Sequence, residues 1–352
     1  MIPRTFVAGL HLRWDGVRQR PHHLLSRLAL RVPVVVVEEP FAAGEDRDEL
    51  RRDGNVTIVR PLRRRGWSPP WLDEHTIATA RRHAVEAPVG VWLSTPIMLS
   101  LADAFDAQPL VYDVMDELAN FDIVPAGLVD AERETLARAQ VVFTGGRSLY
   151  AARAGWGEKV RCEPSGVEFE RFAADVAPHP LPSQLGGPVF GYVGVIDERL
   201  DVGLIETLAD AFPDGHIVLV GPVFKLDPAR LPRRANVHLT GPVPYDALPS
   251  WLAGFDVALM PFAQNRATAA ISPTKTLEYF AARKPVVSTP IADVAAEFSD
   301  AAFIAEGPNA FVDAVRLALD PPPARIARGL DYARARTWDA IAARMIDVIA
   351  AL

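Results

Sequence analysis

The chain is predicted to be an α/β protein made of two doubly wound, parallel-sheet domains. Short β-branched runs recur along it with longer helical patterns between them, and the runs are continuously apolar, as strands covered on both faces must be. The alternation breaks once, in a stretch rich in Pro, Gly and Ala near the middle, and then resumes. With 352 residues and 49% hydrophobic content the chain can bury two cores, which agrees with a prior of roughly 100 to 200 residues per domain.

Near the amino end, Trp14-Asp15-Gly16-Val17-Arg18-Gln19-Arg20-Pro21-His22-His23 reads as a loop opening a helix, with Gly16 permitting close backbone approach to a ligand. Adjacent His22 and His23 would point about 100° apart on a helix, so they cannot chelate one metal together. Strands are expected at 32–37, 56–59, 91–93, 110–112 and 141–143, and the charge-dense run 45–53 is expected to be a solvated loop or helix. The linker reading of 172–188 places one domain at 1–175 and the next at 176–335. Strands resume at 190–193, 217–220, 237–239, 257–260 and 286–288, and Pro321-Pro322-Pro323 marks a rigid surface loop. In 336–352 the stripe Trp338, Ile341, Ala342, Met345, Ile346, Ile349 and Leu352 predicts an amphipathic helix packing back on the protein body, with an anionic membrane face as the alternative.

A net charge of -7 argues against wholesale nucleic-acid binding. The lone Cys162 can form no internal disulfide, and neither a CxxC nor a Cys/His ligand cluster is present, which fits a reducing compartment. No apolar run approaches the ~18 residues of a membrane span, and residues 1–14 lack a signal-peptide core, so a cytoplasmic protein is expected. Arg60, Arg63, Arg64 and Arg65 beside Trp67 could meet a lipid-linked acceptor or anionic headgroups at the inner face of the membrane; a solvated basic loop is the alternative.

The richest segment is Ser272-Pro273-Thr274-Lys275-Thr276-Leu277-Glu278-Tyr279. Ser272 is a favoured N-cap for the amides of Thr274 or Lys275, and Pro273 then falls at the first helical position, where its missing N–H costs nothing. Such a start binds phosphate, Lys275 adds a full charge, and Glu278 shares its face as an acceptor for hydroxyls. That combination suggests a nucleotide-sugar; an ordinary capped helix with a surface Lys and Glu is the alternative. In open parallel sheets ligands collect beyond the carboxyl ends of strands. Arg199 follows such a strand and is the second phosphate candidate, unless it pairs with Asp197 or Asp201. Gly194, Gly221 and Val243 lie in turns that suit a nucleobase edge or a plain tight turn equally well. In the first half, Asp113, Asp116 and Glu117 crowd after a strand; Asp116 is read as a polar group near the reacting centre with Asp113 as its neighbour, against the alternative of an acid-rich helix start.

The ordered set of residues 14–29, Tyr112-Asp113-Val114-Met115-Asp116-Glu117-Leu118, Pro164-Ser165-Gly166-Val167 and Ser272-Pro273-Thr274-Lys275-Thr276-Leu277-Glu278-Tyr279 resembles bacterial family 4, group 1 glycosyltransferases over nearly the whole chain. The resemblance implies a GT-B architecture: two Rossmann-like domains facing a cleft, a UDP- or GDP-linked sugar donor on the carboxyl-terminal side, and a glycan or lipid-linked acceptor on the other. It also implies retention of anomeric configuration, no metal and no permanently bound cofactor, with a role in cell-surface polysaccharide synthesis. Asp116, Arg199 and Lys275 then become the catalytic set; Gly16, Gly194, Arg199, Gly221, Val243, Ser272, Pro273, Thr274, Lys275 and Glu278 would hold the donor, and Trp14, Arg20, Asp113 and Asp116 would line the acceptor side. The family's first Glu is replaced here by Ala270, and Arg199 lacks a partner Lys often found in its loop. Rival readings are a manganese site at Asp46-Arg47-Asp48, a nucleotide-sugar epimerase, and an inactive nucleotide-binding module; a dinucleotide oxidoreductase would need a G-x-G-x-x-G that Gly191-Tyr192-Val193-Gly194 does not supply.

Overall fold

The computed structural model describes residues 2–64, 72–84, 86–121, 124, 126–224, 226 and 230–352. Chain contacts divide it into two units, Met1–Ser165 with Trp338–Leu352, and Gly166–Thr337.

The first unit carries β1 (Thr5–Leu10), β2 (Val34–Glu38), β3 (Phe41–Ala42), β4 (Arg47–Asp53), β5 (Val56–Arg63), β6 (Val89–Leu93), β7 (Leu110–Val114), β8 (Val141–Thr144) and β9 (Val160–Cys162). They form one sheet in the order β3-β5-β2-β1-β6-β7-β8-β9, with β4 added to β5. Every described pairing is parallel except that of β4 with β5. Four of these strands, β1, β3, β4 and β9, lie outside the expected set, and β1 and β4 show why. The central β1 is wholly buried between β2 and β6, yet its sequence TFVAGL carries an Ala-Gly step of low strand propensity. The charged run 45–53, expected to be loop or helix, contains β4, an edge strand whose outward charges suit solvent and discourage further pairing.

The second unit carries β10 (Val189–Val193), β11 (His216–Val220), β12 (Val237–Gly241), β13 (Val257–Met260), β14 (Val286–Ser288) and β15 (Phe303–Ile304), in the order β12-β11-β10-β13-β14-β15. All of these pairs are parallel, and the strand order reverses direction at β10. The division falls at Ser165/Gly166, ten residues before the expected boundary at 175/176. The cause is local: Val167 bridges to Thr337, its amide donates to the Arg336 carbonyl at 3.0 Å, and Phe172 is buried edge-on to Tyr245. These residues therefore belong to the second core.

The terminal helix Trp338–Ala350 returns to the first unit and packs on helix Arg20–Leu28. Trp338 stacks on His23 at 4.7 Å, and Ile341, Ala342, Met345 and Ile349 join the first core. Arg20 locks this corner. Its guanidinium, 1% exposed, donates to both Asp113 oxygens at 2.8 to 3.1 Å and to the Glu163 carbonyl at 2.7 Å. Asp113 is fully buried at the end of β7, and burial pushes its carboxyl up while Arg20 pulls it down. One ion pair thus joins the first helix to β7 and to the chain after β9. Arg20→Met leaves a buried carboxylate without its counter-charge and is expected to cost about 3–5 kcal/mol in urea unfolding. Adding Asp113→Leu should restore most of that, and a single-variant loss under about 1 kcal/mol would refute the role.

Candidate active site

At the carboxyl ends of β10, β11 and β12 the backbone packs on itself. The Gly194 amide donates to the Val220 carbonyl at 2.9 Å, and the Gly221 amide to the Gly241 carbonyl at 3.1 Å. Gly194 and Gly221 have φ of +149° and +146°, and a Cβ on Gly221 would stand 2.0 Å from the Gly194 carbonyl oxygen. No other residue fits at 221.

Helix Lys275–Ala281 clamps this corner from the other side. The Tyr279 hydroxyl accepts from the Val193 amide at 2.8 Å, and the Tyr192 hydroxyl donates to the Val195 carbonyl at 2.9 Å. Lys275 Nζ lies 5.4 Å from the Tyr192 ring centre and 5.0 Å from that of Phe262, so two aromatic rings hold the ammonium. A Cβ on Gly194 would come within 3.2 Å of that nitrogen, which puts the cation against bare backbone.

The loop after β10 is braced by the loop after β13. The amides of Asp201 and Ala263 donate to the carbonyls of Pro261 and Arg199 at 2.9 and 2.8 Å, and the Asn265 amide side chain reaches the Glu198 carbonyl at 2.8 Å. Within this loop Arg199 pairs with the buried Asp197, donating from Nε at 3.0 Å and from Nη2 at 2.6 Å. The pairing alternative raised from sequence is therefore realised. Burial raises the Tyr192 hydroxyl and the Arg199 charge lowers it, so Arg199 and Lys275 share Tyr192 as a neighbour.

Glu278 lies one turn beyond Lys275. Burial pushes its carboxyl up to about 7, Lys275 opposes the shift, and the charge of Glu168 reinforces it. Tyr245 is also perturbed, raised chiefly by burial and then by Glu278 and Glu168. Glu168 accepts from Arg171 Nε at 3.0 Å, on a helix, Phe169–Ala173, that packs against Lys275–Ala281.

Several expected sites take other roles. Ser272 is not the N-cap: the helix begins at Lys275 after Thr274, which makes no side-chain cap, and Pro273 lies outside it. Capping in this stretch occurs earlier, where Asn265 and Thr268 exchange two bonds of 3.1 Å around a short 3-10 turn. A seven-residue helix has little dipole, so the charge here comes mainly from Lys275. Val243 packs partly buried on the second core. Gly16 is an exposed turn in the first unit, its amide bonded to the Arg13 carbonyl at 3.0 Å. Trp14 donates from its backbone to Glu38 at 2.8 Å and from its indole to Asp53 at 2.9 Å.

Of the three acids after β7, Asp113 is taken by Arg20 and Glu117 by Arg153 at 3.0 Å; Asp116 is partly exposed at the strand's carboxyl end. Arg20 and Asp113, expected to line the acceptor side, are thus a buried structural pair. Arg60 is held by Glu38 and Asp15, and Arg63 by Asp73 and Asp48, which removes them from the expected anionic-acceptor surface; Arg65 and Trp67 lie outside the described residues. Asp46 accepts from the Arg64 amide and Asp48 from Arg63, so the Asp46-Arg47-Asp48 triplet is spent on pairing. Among the described residues no three His, Cys, Asp or Glu side chains gather as a metal site. Sequence reasoning missed Tyr192, Phe262, Tyr279 and Glu168. An aromatic two residues before Gly194 was the available signal for the first, whereas Glu168 is brought in only by folding.

A family model described as glycosyl transferases group 1 matches residues 187–320. The Bacillus subtilis (strain 168) protein TuaH, whose name assigns it to teichuronic acid biosynthesis as a glycosyltransferase, is 35% identical over 331 residues, covering 82% of this chain and 81% of that one. The chain belongs to the group 1 glycosyltransferases. Solved structures similar to it include an E. coli trehalose-6-phosphate protein bound with UDP-2-fluoro glucose, at TM-score 0.71 and 11% identity over 98% of both chains. Sucrose-phosphate synthase from Thermosynechococcus elongatus gives TM-score 0.71 and 17% identity, again over 98% of both. These likenesses establish a GT-B fold for this glycosyltransferase. No helix among the described residues is long and apolar enough to cross a membrane.

The raised Glu278 carboxyl gives this glycosyltransferase a signed pH dependence. The folded state holds that proton more tightly than the unfolded chain, so between about 4.5 and 7 stability falls as pH rises, and the full penalty stands above 7. Glu278→Gln removes the penalty. Thermal melts across pH should find the variant more stable than the parent at pH 8 and level with it near pH 4; an equal offset at both would reject the assignment.

Proposed function

We propose that this glycosyltransferase moves a sugar from a UDP- or GDP-linked donor to an acceptor hydroxyl, retaining the anomeric configuration and using no metal, in the synthesis of a cell-surface polysaccharide. The observation that carries the reading is Lys275, an ammonium set between two rings against the backbone of Gly194, with the Glu278 carboxyl one turn away. A diphosphate fits the first and a ribose or sugar hydroxyl the second. The naming of TuaH for teichuronic acid supports the polysaccharide assignment, and UDP-2-fluoro glucose in a GT-B relative supports a nucleotide-sugar donor.

Departure of a nucleoside diphosphate builds negative charge on phosphate oxygens while the sugar becomes oxocarbenium-like. Lys275 and Arg199 would offset that charge, backed by amides at Ser272 and Thr274, with the bare backbone of Gly194 allowing close approach and Gly221 and Val243 beside the base. With no nucleophile assigned, the acceptor hydroxyl attacks from the face the diphosphate leaves and gives its proton to the departing phosphate oxygen. Asp116 would orient hydroxyls on the first unit, with Trp14 and Gly16 in a neighbouring role. A glycan or lipid-linked acceptor follows from the same reading, and work at the inner face of the membrane would suit a lipid-linked one.

Lys275→Ala should lower kcat by about two to three orders of magnitude with little change in melting temperature. Arg199→Ala alone leaves the buried Asp197 unpaired, so Arg199→Ala with Asp197→Asn is the cleaner test of its role. Turnover is read as nucleoside diphosphate released from UDP- and GDP-sugars, with and without chelator. Equal losses of stability and activity would sink the cation assignment, and abolition by chelator would sink the metal-free mechanism. Because Glu278 accepts from hydroxyls more strongly as the carboxylate, KM for the donor should rise as pH falls through about 7.

A further inference from the structure

The second sheet carries a feature the transfer chemistry does not use. His216 opens β11, and His238 lies on the neighbouring edge strand β12, opposite Val218. His216 Nδ1 and His238 Nε2 stand 3.1 Å apart, with ring centres 5.2 Å apart and planes inclined at 46°. Both rings are partly exposed. They sit toward the amino ends of their strands, whereas Gly221 and Gly241 mark the carboxyl ends.

We propose that His216 and His238 form a binding site for a borderline divalent transition metal such as Zn2+, Co2+ or Ni2+. At metal–nitrogen distances of about 2.05 Å, nitrogens this close subtend an angle of roughly 100° at the ion, between octahedral and tetrahedral. Imidazole is the commonest protein ligand for these ions. In the metal-free pair one ring must donate a proton to the other. Moving that proton to the donating ring's second nitrogen leaves a lone pair on each facing nitrogen, which rotation of the two partly exposed rings can bring onto one ion, so the ion enters without a change in total protonation. Water would complete the coordination, and the ion would pin the edge strand to the body of the sheet.

The test uses the full chain with Zn2+ or Co2+ alone. The parent should show a saturable rise in melting temperature with Zn2+ and a visible Co2+ ligand-field band. His216→Gln and His238→Gln should each weaken the apparent affinity at least tenfold while leaving metal-free turnover unchanged. If one variant folds poorly, the other decides, and so does the parent alone, in which Ni2+ should broaden two histidine resonances selectively. Affinity unchanged in the variants would assign the metal to another of the eight histidines. That result, or no saturable response in the parent, overturns the proposal.

Discussion

The second unit depends on a place where two strands end too close together for side chains. With a Cβ on Gly221 only 2.0 Å from the Gly194 carbonyl, the turns after β10 and β11 can meet only as bare backbone. That contact fixes where β10 ends, and Tyr279 then holds Val193 from the helix side at 2.8 Å. Lys275 inherits its position from this scaffold: it is four residues before Tyr279, on the same helix face, and its ammonium meets the strand end that Tyr279 anchors. Precision at the proposed phosphate site would need a rigid frame, and backbone bonded to backbone supplies one.

Charge in this corner is arranged at a cost to stability. A carboxyl raised to about 7 is poorly solvated, and a second acid, Glu168, makes it worse. A fold selected for stability alone would put Gln or an apolar residue there. The proposed donor-binding role gives that acid a use which stability alone does not. The first unit shows the opposite economy, with Arg20 against Asp113, Arg153 against Glu117 and Glu132, and Arg60 against Glu38 all neutralised in place.

The strand runs that the sequence displayed plainly were those with uninterrupted β-branched residues, such as 257–260 and 286–288, whose bounds match the structure. The Ala-Gly step hid β1, and charge hid β4, because patterning reports burial while those strands are set by their neighbours. At the site, Lys275 and Glu278 were readable as residues of suitable chemistry at a helical spacing. The helix start was misread because Ser-Pro also suits an extended approach, and the capping bonds had already formed at Asn265. Glu168 lies more than a hundred residues before Glu278, and no local pattern links them.

The two cations are not equivalent. Arg199 and Asp197 together carry no net charge, so their field falls off as a dipole, although the pairing pre-sets the guanidinium and spares its ordering entropy. Lys275 sits between two aromatic rings and shares its turn with Glu278, whose carboxyl burial pushes up to about 7. In the proposed mechanism the long-range pull on a dianionic leaving group would come from Lys275. Arg199 would contribute direction, its guanidinium already held in place by Asp197. On that reading net charge is supplied from the helix, and the loop needs only geometry.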